Sequence, residues 1–143
     1  MHSSIQNMSV EELSRLQQEI SRVIRQKEEE QKEQNLQENN RYVGKYYLCS
    51  GDRYEKKICK IVSTYEYDDC HMIGKTVSLS RENTGFENMS AVPTIRSDVE
   101  LIRLFKKDDH GQKRVLGDFL EINKKDFSSS LRGMLDSLKD SFR

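Results

Sequence analysis

The chain has 143 residues, 34% hydrophobic and 34% charged, with 24 basic residues balancing 24 acidic ones. An average soluble domain is ~45–50% apolar and ~25% charged, so this length holds one modest core plus a polar appendage. Zero net charge disfavours a general polyanion binder, although a local basic face fits inside a neutral total.

The first residues have neither the basic flank nor the apolar run of a signal peptide, and no window approaches the ~18 apolar residues of a membrane span. Three cysteines at 49, 59 and 70 do not form the dense even set of a secreted disulfide scaffold. The expectation is a protein of a reducing cytoplasm with no membrane contact.

Ser9-Val10-Glu11-Glu12 is a capping box, and behind it Leu13, Leu16, Ile20 and Val23 recur at three- and four-residue steps, with Ile24 widening the stripe. This spacing predicts a helix whose apolar seam covers 10–24. From Arg25 to Arg41 the chain reads RQKEEEQKEQNLQENNR, with Leu36 its only apolar member. Nothing in that run has an apolar face to bury, so it is expected to be a solvated helix or a linker. The boundary between a helical unit, 1–41, and a β-rich unit, 42–143, falls there.

Val43–Cys49 and Lys57–Tyr65 are rich in β-branched and aromatic residues and flank the turn-forming SGDR. EYDDC turns the chain into His71–Ser80, and RENTG turns it again before a weak segment around Phe86–Ala91. Pro93, the only proline, argues against a central strand there. Val99–Phe105 and Lys113–Ile122 are further strands on either side of KKDDHGQ, a hairpin-type connection. Apolar residues of both parities in 113–122 imply strands covered on both faces. Asn123 caps a last helix, 124–142, striped with Phe127, Leu131, Leu135, Leu138 and Phe142, with Met134 beside them. The fold class is therefore α+β: a long N-terminal helix, a small antiparallel β-sheet or SH3/OB-like barrel, and an amphipathic C-terminal helix.

Cys49, Cys59, Cys70 and His71 lack the close ligand pairs that zinc knuckles use, so no metal is expected. DDCH (68–71) and DDHG (108–111) set carboxylates beside a histidine, but Asp and Gly are what turns demand. An enzyme built on these turns is the third-ranked reading, and no phosphate loop or nucleophile motif accompanies them. No catalytic residue and no cofactor are expected.

Lys45, Tyr46, Tyr54, Lys56, Lys60 and Tyr65 form a candidate binding face on the first hairpin. Aromatic platforms among lysines suit single-stranded nucleic acid, and tyrosine equally suits protein contact. Leu13, Leu16, Ile20, Val23 and Ile24 are the candidate self-association or docking surface. The preferred partner is another protein, with pairing into a homodimer or higher oligomer included, and nucleic acid ranks below it.

VGKYY (43–47), KI (60–61) and FLEINKKDF (119–127) together resemble small proteins of bacteriophages and other bacterial mobile elements. In these a polar helix precedes a GKYY-type strand, and a strand ending EI leads into a closing helix. That resemblance implies an accessory, non-enzymatic adaptor or inhibitor in the host-cell cytoplasm, or alternatively a structural virion part. Ser9–Arg25 also resembles the oligomerisation helices of nucleoid-associated proteins, without that family's basic GRGRKP-like signature.

Overall fold

The computed structural model describes residues 6–51, 53–82 and 92–143. Helix α1 runs unbroken over Val10–Asn40, capped by Ser9, whose hydroxyl accepts the Glu12 N–H at 3.2 Å. Glu11 and Glu12 lie in its first turn, where the helix dipole favours negative charge. Its 31 residues extend about 46 Å at a rise of ~1.5 Å each. The polar half is thus helical rather than a linker, as its good helix formers and a Gln31–Asn35 side-chain hydrogen bond of 3.1 Å permit.

The chain leaves α1 through a turn at Arg41–Gly44. Gly44 sits at φ +91°, a region that costs other residues, and its N–H donates to the Ile61 carbonyl at 2.7 Å. This turn occupies the start of the expected first strand, so β1 is shorter, Tyr46–Cys49. It pairs with β2 (Lys56–Thr64), which pairs with β3 (His71–Glu82), which pairs with β4 (Val92–Arg103), all antiparallel. The segment around Phe86–Ala91 lies outside the described residues.

The expected strand over 113–122 is two strands. β5 (Phe105–Lys107) and β6 (Lys113–Val115) make a separate hairpin, and a turn with Phe119 N–H donating to Leu116 carbonyl carries the chain to β7 (Phe119–Ile122) on the free edge of β1. The sheet order is β4-β3-β2-β1-β7, so the sheet is open, with β4 and β7 as its edges. Pro93 is accommodated because β4 is an edge strand, where a missing donor breaks no second ladder.

Helix α2 (Lys124–Asp140) crosses one sheet face, with Asn123 accepting the Asp126 N–H at 2.7 Å as its cap. Ile58, Leu79 and Met134 are buried there, with Leu48, Val77, Ile95, Phe127 and Leu131 packed around them. Met134 is the centre of the helix stripe, while Leu135 and Phe142 are exposed. The opposite face buries Tyr47, Cys59, Ile61, Met72 and Ile102 against Leu104 and Phe105 at the base of the β5–β6 hairpin. Two cores on one sheet account for the mixed parity of apolar residues in its strands.

Asn39 is the buried residue of α1, in a run without apolar neighbours except Leu36. Its Nδ2 donates to the Asp69 carbonyl at 2.9 Å, and its Oδ1 accepts from Lys113 Nζ at 2.6 Å. Lys113 also lies 3.7 Å from the Glu38 carboxylate and 5.4 Å from the centre of the Phe105 ring. A run expected to bury nothing is therefore pinned by a polar side chain whose two ends are both satisfied.

Asn39→Ala leaves Lys113 and the Asp69 carbonyl short of a partner and is expected to cost about 1–3 kcal/mol of unfolding free energy. Asn39→Asp keeps an acceptor for Lys113 but removes the donor to Asp69, so it is expected to fall between the two. Urea denaturation of the three proteins checks this, and equal midpoints would show that the latch contributes nothing.

Candidate functional site

The exposed apolar face of α1 is the first candidate. Val10 is 83% exposed, Ile24 51%, Ile20 50%, and Leu13 and Val23 38% each, with Leu16 half-buried. The side chains of α1 that are half-buried or buried on the body side lie near its C-terminal end, at Asn35, Leu36 and Asn39. The seam therefore stands clear of the β-body, an exposed apolar row of the kind that marks interaction surfaces. Val10 extends the same side of the helix as Ile24, seven residues before Gln17 and fourteen before Ile24. The step of seven was legible in the sequence once the seam was placed on a heptad.

The hairpin residues do not form one face. Tyr46, Lys56 and Lys60 point to the side of the sheet that α2 covers, as their register against Ile122, Leu79 and Lys75 requires. The Tyr46 ring packs at a tilt against Phe127 with centroids 4.7 Å apart, and Lys60 Nζ sits 5.6 Å from the centre of the Tyr46 ring. Tyr54 lies in the β1–β2 loop, donating from its hydroxyl to the Ser50 carbonyl at 3.1 Å, and burial pushes its phenol up. Lys45 pairs with Glu121 at 3.0 Å and lies over the Tyr42 ring. Tyr65, beyond the far end of β2, packs edge-on against Tyr67 and His71. The aromatic rings are thus engaged within the chain, and the residues divide between the α2 side, the Glu121 side at Lys45, the loop and the opposite end of β2.

The cysteines fall into two groups. Cys49 is opposite Lys57 and Tyr47 opposite Cys59, which makes Cys49 and Cys59 diagonal neighbours on one side of the sheet, Sγ to Sγ 3.8 Å. With Cys49 ionised the Cys59 S–H donates to it, which holds the Cys49 thiol below its usual range and pushes Cys59 up, with burial adding to the rise. Cys70 is at the β2–β3 turn, and burial together with Asp69 and Asp68 pushes its thiol up. Among the described residues, the ligand atoms of Asp68, Asp69 and Cys70 lie within 4.8 Å of one another. Cys49, Cys59, Cys70 and His71 do not converge in that way.

Both Asp–His turns use their carboxylates on the backbone. Asp108 accepts from the His110 and Gln112 N–H groups at 2.9 Å each. Asp68 accepts from the Cys70 N–H, the main cause that holds its carboxyl down, and its other oxygen is 3.1 Å from His71 Nδ1. Burial raises the Asp69 carboxyl, but Lys107 at 2.8 Å, with Lys113 and the Cys70 thiol, leaves the net shift downward. An open cleft of about 680 Å³ separates this turn from the polar half of α1, with Tyr67, Asp69 and Lys107 on one wall and Gln31, Lys32 and Asn35 on the other.

Among the described residues, no helix is long and apolar enough to cross a membrane. No protein-family model, curated protein or solved structure matches the chain.

The thiol asymmetry predicts that iodoacetamide labels Cys49 well before Cys59, read by peptide mass spectrometry over time. Faster labelling of Cys59 would contradict the assigned direction of the S–H···S contact. Asp69 also sets a pH dependence. Its folded pKa lies below the unfolded value, so its contribution is present above about pH 4 and is lost as pH falls through the folded value. Asp69→Asn, which keeps the carbonyl that Asn39 uses, is expected to be less stable than the native chain at pH 6 and to lose less stability between pH 6 and pH 3. Parallel acid-unfolding curves would remove Asp69 from the account.

Proposed function

We propose that this chain is a non-enzymatic interaction protein that docks on another protein surface through the α1 seam, Leu13, Leu16, Ile20, Val23 and Ile24. The observation that carries this reading is the exposure of Leu13, Ile20, Val23 and Ile24, with Val10 on the same side, on a helix whose attachment to the body lies more than ten residues further on. Burying such side chains stabilises a complex by roughly 25 cal/mol per Å2 of apolar surface before association costs. The β-body, held by its own two cores, supplies a stable platform for the projecting helix. The engaged aromatic rings of the first hairpin favour this reading over nucleic-acid binding.

An adaptor or inhibitor role in a host-cell cytoplasm, for a protein encoded by a phage or mobile element, belongs to the same proposal. The GKYY and FLEINKKDF segments support it.

Leu16→Glu combined with Ile20→Glu places two charges in the middle of the seam without touching the body. The double variant is expected to keep the native circular dichroism and thermal midpoint and to lose at least ~100-fold in association, since two buried charges cost several kcal/mol. Association is read by sedimentation of the pure protein and by nuclease-treated capture from bacterial lysate. Unchanged mass and unchanged capture would end the docking reading. Capture abolished by nuclease alone would transfer it to nucleic acid.

A further inference from the structure

The seam residues alternate three and four apart, so Leu13 and Ile20 occupy one core position of a heptad and Leu16 and Val23 the other. Continuing the same count along the unbroken helix puts Lys27 and Glu30 at the next two core positions. The flanking positions differ on the two sides. One flank carries Val10, Gln17 and Ile24, and the other Glu12, Glu19 and Gln26.

These positions discriminate between the two ways a second copy can lie on the seam. A parallel, in-register pair stacks Leu13, Leu16, Ile20 and Val23 on themselves, then sets Lys27 against Lys27 and Glu30 against Glu30. It also faces Glu19 with the apolar Ile24. An antiparallel pair centred on residue 18 stacks Leu13 on Val23 and Leu16 on Ile20, twice each. Lys27 then falls opposite Ser9, beside the acidic first turn of Glu11 and Glu12. The apolar flank closes on itself as well, since Val10 meets Ile24 and Gln17 meets Gln17. The one like-charge contact is Glu19 with Glu19, and on each helix Arg22 already holds that carboxylate at 3.0 Å.

From this charge and apolar complementarity we infer that the occupant of the α1 seam is a second copy of this chain, in antiparallel register about residue 18. The assignment rests on the docking role proposed above and adds the partner and its direction. It gives the polar run a geometric task. Beyond Lys27 each helix passes the Ser9 cap of its partner's α1, and Lys27–Asn40 is the spacer between the paired seam and each β-body. With α1 anchored at Asn39, the two anchor points stand about 63 Å apart at ~1.5 Å per residue. In a parallel pair they stand about 8–10 Å apart, one interhelical distance.

Two single-site cysteine variants of the full chain test the register, with the native chain under the same oxidant as background. Gln17→Cys is expected to form a disulfide-linked dimer in high yield, because residue 17 faces its own copy across the antiparallel flank. Lys27→Cys is expected to stay at background, because its partner position is Ser9. Small-angle scattering of the native chain at high concentration is expected to show two bodies separated by about 60 Å. The reverse crosslinking pattern would establish a parallel pair and overturn the register while leaving the docking role. Sedimentation as a monomer at every concentration, with lysate capture still lost in the Leu16→Glu, Ile20→Glu variant, would overturn the second copy and assign the seam to a different protein. Loss of both self-association and seam-dependent capture would remove the docking reading itself.

Discussion

Asn39 is the contact on which the arrangement of this molecule depends. One side chain joins three elements: the end of α1, the β2–β3 turn through the Asp69 carbonyl, and the β5–β6 hairpin through Lys113. The chemistry selects asparagine. The carbonyl of Asp69 only accepts and the ammonium of Lys113 only donates, so the residue between them needs one donor and one acceptor on a short rigid plane. A carboxylate would present an acceptor to an acceptor, and an apolar side chain would strand both. Lys113 is itself half-buried, so its charge leans on Asn39, Glu38 and the Phe105 ring together.

The latch works because the sheet beneath it is covered on both sides. α2 takes one face, and the other receives Leu104, Phe105 and Val115, with the exit turn of α1 laying Tyr42 edge-on to Phe105 at 4.8 Å. The base of α1 therefore rests on the core that also buries Tyr47, whose phenol is pushed up by burial first and by Glu121 second. Polar groups near this core are matched in charge. Lys57 and Glu100 lie 2.9 Å apart beside Cys49, and burial of each is offset by the other. Such a pair sets register between β2 and β4 across β3 more than it adds stability.

Much of this was legible from spacing alone. The helix caps at Ser9 and Asn123, the alternation in His71–Ser80 and the turn residues at 66–70 and 108–111 each act locally, so the sequence carries them directly. The losses arose where a long-range partner decided. Residues 42–45 have strand composition, yet Gly44 and the Ile61 carbonyl bend them into the exit turn. Residues 113–122 look continuous, but β6 and β7 answer to different neighbours, Phe105–Lys107 and β1. Asn39 was invisible because asparagine in a polar helix reads as solvated, and its two partners lie 30 and 74 residues away. That Leu13, Leu16, Ile20 and Val23 lie on one helix was legible from their spacing. The dispersal of the hairpin tyrosines was not, since ring packing on Phe127 and His71 depends on where α2 and the β2–β3 turn come to rest.

The polar half of α1 then acquires a physical meaning that composition alone denied it. A disordered linker of sixteen or so residues would transmit no direction, because its end-to-end distance spreads over tens of ångströms, on the order of 5–6 Å times the square root of its length. A helix of the same length transmits both distance and bearing. Its helical state costs little, since Glu, Gln, Lys and Arg are good helix formers, and the Ser9 cap at one end and the Asn39 latch at the other suppress fraying. Rigid attachment has a thermodynamic effect on any complex formed at the seam. The orientation of the body is fixed before association, so less freedom is lost when the partner arrives, and affinity rises without an added contact. The Asn39 latch and the apolar seam are thus coupled through the helix that separates them: the first determines where the second can reach.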